Sequence, residues 1–275
     1  MTRQLIAAVV AAAWLVCVNG GLALAAPPRP AHVVVVIEEN HTLAQVVGSG
    51  NAPYLATVAR NGALFTHAHG VTHPSQPNYL ALLSGLTNTN GNGCPARGVP
   101  VDAPNLASEL LAAHFTFAAY SESLPATGFM GCWAGTYAQK HAPWTHFTNI
   151  PQRLHHPLTA LTSFDALPTV AFIVPDVDDD MHDGTVKEGD EWAAAHLTPL
   201  LKWAATHDTL VVFTWDEGFD AANSIPTMFV GPMIRAGKYT QRINHYNVLR
   251  TLEDLYRLPL TGKAETAAPI VDIWR

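Results

Sequence analysis

The sequence predicts a three-layer α/β/α sandwich with a mostly parallel central sheet. Three observations point there. Short apolar runs rich in β-branched residues lack the polar alternation of a half-wet sheet, so they read as strands buried on both faces. Stretches with helical periodicity lie between those runs. The alternation continues along the chain with no internal repeat and no Pro/Gly/Ser linker to divide it, which implies a single α/β unit.

The first run is 32–38 (HVVVVIE), the most hydrophobic of the set. Helical patterns follow at 53–60, which opens on Pro53, at 77–84, which opens on Pro77, and at 106–114. The next strands are expected at 115–120 and 168–174, then a long helix at 190–207. Strands at 209–215 (TLVVFTW) and 225–230 precede a last helix at 244–256. Asn244 suits its N-cap, and Val248, Leu249, Leu252, Leu255 and Tyr256 fall on one face. In such folds ligands sit beyond the carboxyl ends of the strands.

Composition narrows the function. The chain has 275 residues, 48% of them hydrophobic and only 13% charged, which excludes a disordered or coiled-coil protein. Fifteen Lys+Arg stand against 22 Asp+Glu, a net charge of −7 with no basic block, so nucleic acid is not an expected partner. The 14 His are the outlier. Unperturbed imidazoles charge below about pH 6.5, so the sequence suggests an acidic optimum and closer association with anionic lipid surfaces in acid. Residues 1–25 read as a secretory signal peptide: Arg3, an apolar stretch over 5–18, and the small-x-small site Ala23-Leu24-Ala25. That stretch is too short to span a bilayer, so export without a transmembrane segment is expected, with a mature domain at 26–275. Cys94 and Cys132 then remain and most simply form one disulfide.

Five polar clusters could carry chemistry. Glu38-Glu39-Asn40-His41 ends the first strand and offers hard oxygen donors for a divalent cation. In Thr72-His73-Pro74-Ser75-Gln76-Pro77-Asn78-Tyr79, Ser75 or Gln76 is expected at a helix N-cap, where free N–H groups lower a hydroxyl's pKa and receive phosphate. Asp176, Asp178, Asp179, Asp180, His182 and Asp183 crowd one loop. An EF-hand is excluded there, because Met181 and Lys187 occupy its required Gly and Glu positions. Asp216-Glu217-Gly218 follows a strand, with Gly218 permitting a sharp turn, and His245 opens the last helix. Lys140 and His141 add a cation and an imidazole in a loop. Together these are the parts for metal-assisted displacement at phosphorus. The G-x-S-x-G, H-E-x-x-H and G-x-x-x-x-G-K-[ST] patterns of competing chemistries are missing from the sequence.

The segments IEENHT, THPSQPNYLALLSG, YAQKHAPW, PDVDDDMHDG, FTWDEG and HYNVLRTLEDLY occur in order along the chain. In that combination the sequence resembles the bacterial phosphoesterase family of acid phosphatases and phospholipases C, within the alkaline phosphatase superfamily. The resemblance implies an alkaline phosphatase-like sandwich and a divalent metal ion (Mg, Ca, Mn or Zn) held by Glu39, Asn40, Asp216 and Glu217. In the family one of the last two is often Asp; Glu217 is longer by a methylene. Ser75 matches the nucleophile, and His73, His141, His182 and His245 match site histidines. Lys140, Asn78 and Asp180 match substrate-handling positions, and Asp178 has the D-x-x-x-H spacing to His182 of a second metal ligand. The implied substrate is a phosphomonoester, with a phosphoinositide at a membrane surface as one candidate. The family's larger phospholipases carry additional C-terminal domains, so phosphomonoesterase is favoured over phospholipase C. A non-catalytic calcium-holding protein is the reading from another class.

Overall fold

All five apolar runs become strands in the computed structural model, which describes residues 28–87, 92–94 and 101–275. The expected signal peptide lies outside the described residues. The main sheet has eight strands: β1 (His32–Glu38), β2 (Ala63–Phe65), β3 (Phe117–Ser121), β4 (His155–Pro157), β5 (Val170–Val174), β6 (Thr209–Trp215), β7 (Thr227–Val230) and β8 (Gly237–Tyr239). Their order across the sheet is β8-β2-β7-β6-β1-β5-β3-β4. Only β7 runs against its neighbours β6 and β2; the other pairings are parallel. The link 216–226 explains that exception, because it contains no crossover helix to return the chain in parallel. β2, β4 and β8 were not expected from the sequence. Each spans three residues, too few for a periodic signal.

Helices α1 (Pro53–Asn61) and α4 (Val186–Ala204) pack together, and α2 (Ser75–Ser84), α3 (Leu106–Ala112) and α5 (His245–Tyr256) form a second group. The two groups cover the two faces of the sheet. That is why Val33 to Val36 and Leu210 to Phe213 have no exposed surface. Where helix ends differ from expectation, local capping is the cause. α4 starts at Val186 and not at 190, because Thr185 and Glu188 form a reciprocal capping box. α2 starts at Ser75, with Pro74 at the N-cap position. It ends at Gly85, which is left-handed (φ 70°) and has Thr261 O 2.5 Å from where a Cβ would lie. Among the described residues no helix is long and apolar enough to cross a membrane.

Cys94 and Cys132 are disulfide-bonded, as expected, across a sequence separation of 38. The bridge joins two segments that serve one place. Asn92 and Gly93 bind Gln76 at the start of α2, and the chain beyond Cys132 leads to Lys140 and His141. Replacing both cysteines by serine is expected to lower stability by about 4 kcal/mol in the chain-entropy model, read as a lower urea midpoint. An unchanged midpoint would contradict this.

Candidate active site

Strand ends and one helix start assemble the site. β1 delivers Glu39 and Asn40, β6 delivers Asp216 and Glu217, and α2 opens on Ser75. Ser75 is buried, and its Oγ lies 3.0 Å from Glu39 Oε2 and 3.1 Å from Glu217 Oε1. It occupies the first position inside the helix instead of the N-cap, which is Pro74 and offers no capping side chain. The hydroxyl is therefore aimed at the carboxylates. One hydroxyl proton cannot be donated to both, so a shared proton or a cation is needed between them.

From Glu39 the contacts run inward. Its Oε1 lies 2.9 Å from His141 Nε2, and His141 Nδ1 lies 2.7 Å from Asp180 Oδ2. Burial would push the His141 pKa down, but the charges of Glu39 and Asp180 outweigh it and raise it well above the usual range. Burial pushes Glu39 up, yet the His141 cation holds it below the ordinary carboxylate value. Tyr79 stacks on the His141 ring (5.4 Å between centroids, 7° between planes) and fixes its plane. The sequence reading missed Tyr79. Its only signal was an aromatic one helical turn after Ser75.

Beyond Asp180, the His182 N–H donates to Asp180 Oδ1 (2.8 Å), Lys140 Nζ donates to His182 Nε2 (2.7 Å), and His182 Nδ1 donates to Asp183 Oδ1 (2.6 Å). On the other side, Glu217 Oε2 accepts from His73 Nδ1; the half-exposed His73 ring stacks on exposed Phe219. His245 donates from Nε2 to the Trp215 carbonyl (2.9 Å), leaving a buried Nδ1 without a partner, and burial lowers its pKa to about 4.

Two expected residues do other work. Asn78 accepts from the Val71 and Thr72 N–H groups and donates to the Thr72 and Pro74 carbonyls, at 2.8–3.2 Å. Its amide holds the loop before Ser75 in shape and is not offered to a substrate. Asp178 is exposed, whereas Asp180 two residues on is buried, so the D-x-x-x-H spacing does not translate into convergence. Gly218 is required for a close approach: a Cβ there would lie 2.1 Å from Ser224 O.

The donor set fits a hard divalent cation. Asn40 Oδ1 and Asp216 Oδ2 are buried acceptors with no donor, and Asp216 Oδ1 takes only the Asn40 N–H (3.0 Å). Burial, then Glu39, then Glu217 raise the Asp216 pKa well above normal, as expected of carboxylates gathered with too little positive charge. Glu39, His141 and His182 also bring one ligand atom each within 4.8 Å of one another.

A model of the phosphoesterase family matches residues 49–259, a span that begins after Glu39 and Asn40 and includes Ser75, Lys140, His141, Asp180, His182, Asp216, Glu217 and His245. The chain belongs to the phosphoesterase family. This phosphoesterase is 47% identical to the phosphatidylinositol-3-phosphatase of Mycobacterium tuberculosis, over 98% of this chain and 91% of that one. It is 30% identical to an acid phosphatase of Aspergillus fumigatus over 78% of its length, and spans about half (53%) of that longer protein. Among solved structures, a Vibrio parahaemolyticus protein of the alkaline phosphatase superfamily aligns with a TM-score of 0.62 at 14% identity, covering 89% of this chain and 71% of that one. The phosphonate monoester hydrolase of Agrobacterium radiobacter aligns at 0.57 and 15% identity, covering 90% and 79%. These likenesses establish the fold as that of the alkaline phosphatase superfamily. Family membership in turn makes the chain an enzyme, which removes the calcium-holding reading.

Four of the 14 histidines are withdrawn from any charge change near pH 6.5. His141 is held charged by its neighbours, while burial lowers His146 to about 4, His155 to about 3 and His245 to about 4. Those rings do not join a surface charge reversal near pH 6.5. Two of them bear on stability instead. The unfolded chain binds protons at His146 and His155 between about pH 6.5 and their folded values, so stability falls as pH drops through that window. Glu253, raised by burial to about 7, acts in the opposite sense and loses stability as pH rises from about 4.5. Each histidine contributes a slope of up to about 1.4 kcal/mol per pH unit. The fall in Tm between pH 6 and 4 is expected to be shallower in His155→Gln than in the parent protein; equal slopes would refute the assignment.

Proposed function

We propose that this phosphoesterase is an exported, metal-dependent phosphomonoesterase that works through a phosphoserine at Ser75. The observation that carries the reading is the buried Ser75 hydroxyl, set at a helix N-terminus between Glu39 and Glu217. A divalent ion bound by Glu39, Asn40, Asp216 and Glu217 would neutralise phosphate oxygens and favour the serine alkoxide. Ser75 stands in the first turn of α2, where the positive helix end favours an incoming phosphate.

Ser75 Oγ attacks phosphorus, forming the new P–O bond as the ester P–O bond breaks. Its proton leaves along the contact with Glu217, whose partner His73 opens to solvent. Lys140 binds phosphate oxygens, and His182, in contact with Lys140, lies where it can relay a proton to the departing alkoxide. Water then attacks phosphorus and the P–O bond to Ser75 breaks, releasing phosphate and returning the serine. Asp180 and Tyr79 hold His141 in place, and Asn78 holds the loop before Ser75. His245 faces the ligand loop with an open Nδ1.

The name of the mycobacterial relative supports a phosphoinositide 3-phosphate as substrate, met at a lipid surface. The signal-like residues 1–25 support secretion and a mature chain beginning near Ala26. The deciding experiment is product analysis on phosphatidylinositol 3-phosphate vesicles. Release of inorganic phosphate is expected, and release of a phosphorylated headgroup would replace this reading with phospholipase C.

A further inference from the structure

Glu38, the last residue of β1, is fully buried, and neither of its carboxylate oxygens has a hydrogen-bond partner. The chemistry at Ser75 does not use it. Successive side chains along a strand point to opposite faces, so Glu39 reaches Ser75 on the α2 side while Glu38 turns to the α4 side. The sheet register shows what it meets there. Val36 pairs with Ile173 of β5, and Ser121 of β3 pairs with Val174, which sets Glu38, Pro175 and Glu122 in one row on three neighbouring strands. Ile173 and Glu122 line one cavity with Trp192 of α4, as that common face requires.

The chain leaving β5 folds back at this row. Glu122, Asp176 and Asp179 bring one carboxylate oxygen each within 4.8 Å of one another. Asp176 is held rigidly, accepting from Ser123 Oγ (2.6 Å) and Thr136 Oγ1 (2.5 Å) and from the N–H groups of Asp178 and Asp179. Asp180 is the first of the charges acting on Glu38, followed by Asp179, Glu122 and Glu39. Among the described residues no Lys or Arg pairs with Glu38, Glu122, Asp176 or Asp179; His196 is the basic group that acts on Asp179.

We propose that Glu38, Glu122, Asp176 and Asp179 form a second cation site, on the opposite face from the Ser75 centre, for a hard divalent ion of the Ca²⁺ class. Carboxylate oxygens from three strand ends and one return loop match the preference of that ion class for several oxygen ligands. Its role is positional. The Asp176 carbonyl accepts the Asp180 N–H (2.8 Å), so an ion at Asp176 and Asp179 clamps the loop that presents Asp180 to His141.

The test uses Tb³⁺, a luminescent probe for Ca²⁺ sites, on full-length protein in the Asp216→Asn background, where the Ser75 centre is disabled. That protein is expected to bind one Tb³⁺ with Trp-sensitised emission. Adding Glu122→Gln and Asp179→Asn is expected to weaken binding about tenfold or more. Adding Trp192→Phe instead is expected to dim the emission with affinity retained, a result that holds even where the acidic replacements fail to fold. Absence of a Tb³⁺ site in Asp216→Asn protein, or emission indifferent to Trp192→Phe, overturns the proposal. Hydrolysis by Glu122→Gln protein is a separate readout, so a failure of the phosphatase reading does not decide this one.

Discussion

Ser75→Ala protein is expected to lose phosphomonoester hydrolysis by on the order of 10⁴-fold or more in kcat while remaining folded. The size follows from position. Ser75 Oγ is the hydroxyl within hydrogen-bond distance of both Glu39 and Glu217, and losing a covalent nucleophile removes the two-step route and not merely one contact. Stability is expected to fall by no more than about 1–3 kcal/mol, because the lost hydroxyl was a donor to the buried carboxylates of Glu39 and Glu217. Ser84→Ala, at the far end of the same helix, is the control. Its hydroxyl donates to the Leu80 carbonyl and accepts from the Leu86 N–H, both local to the helix end, so the rate is expected to be unchanged. Steady-state rates on a generic monoester with thermal melts check both. Undiminished turnover in Ser75→Ala protein would end the phosphoserine mechanism.

Chelation is expected to silence the enzyme, and Asp216→Asn is expected to do so irreversibly, with a rate loss on the order of 10³-fold that added metal does not rescue. The same variant carries a less obvious expectation. In the metal-free protein Asp216 is a buried carboxylate facing Glu39 and Glu217, with Oδ2 unpaired, so its charge opposes folding. An amide of the same shape removes that charge. Metal-free Asp216→Asn protein is therefore expected to melt at a higher temperature than the metal-free parent, while the parent gains more from added cation. Calorimetry after chelation reads both. A lower melting temperature for the variant in the absence of metal would show that the acids are not held against repulsion, and the cation assignment would fall with it.

Asn244 was legible as an N-cap because Asn followed by an amphipathic run is a local signal, and it does cap α5. Thr185 and Glu188 carried an equally local signal for the start of α4. It was masked by the acidic loop beside it. Asn78 lies within a matching segment, yet its amide closes a loop, a role set by backbone groups whose positions no spacing reveals. Glu38 and Glu39 are adjacent and chemically alike, and only strand alternation sends them to opposite faces.

The amino-acid string by itself determined the strand-and-helix alternation, the kinds of side chain that end each strand, the two cysteines that pair and the phosphoesterase family. All of these depend on neighbours within a few residues or on an ordered set of short segments. Tertiary structure alone decided the reversed direction of β7, the lowered proton affinity of His146 and His155, and the convergence of Ser75, Glu39 and Glu217. The reason is physical: proton affinity and ligand geometry depend on what lies within a few ångströms in space, and residues 39, 75 and 217 meet only once the sheet has brought two strand ends beside one helix start.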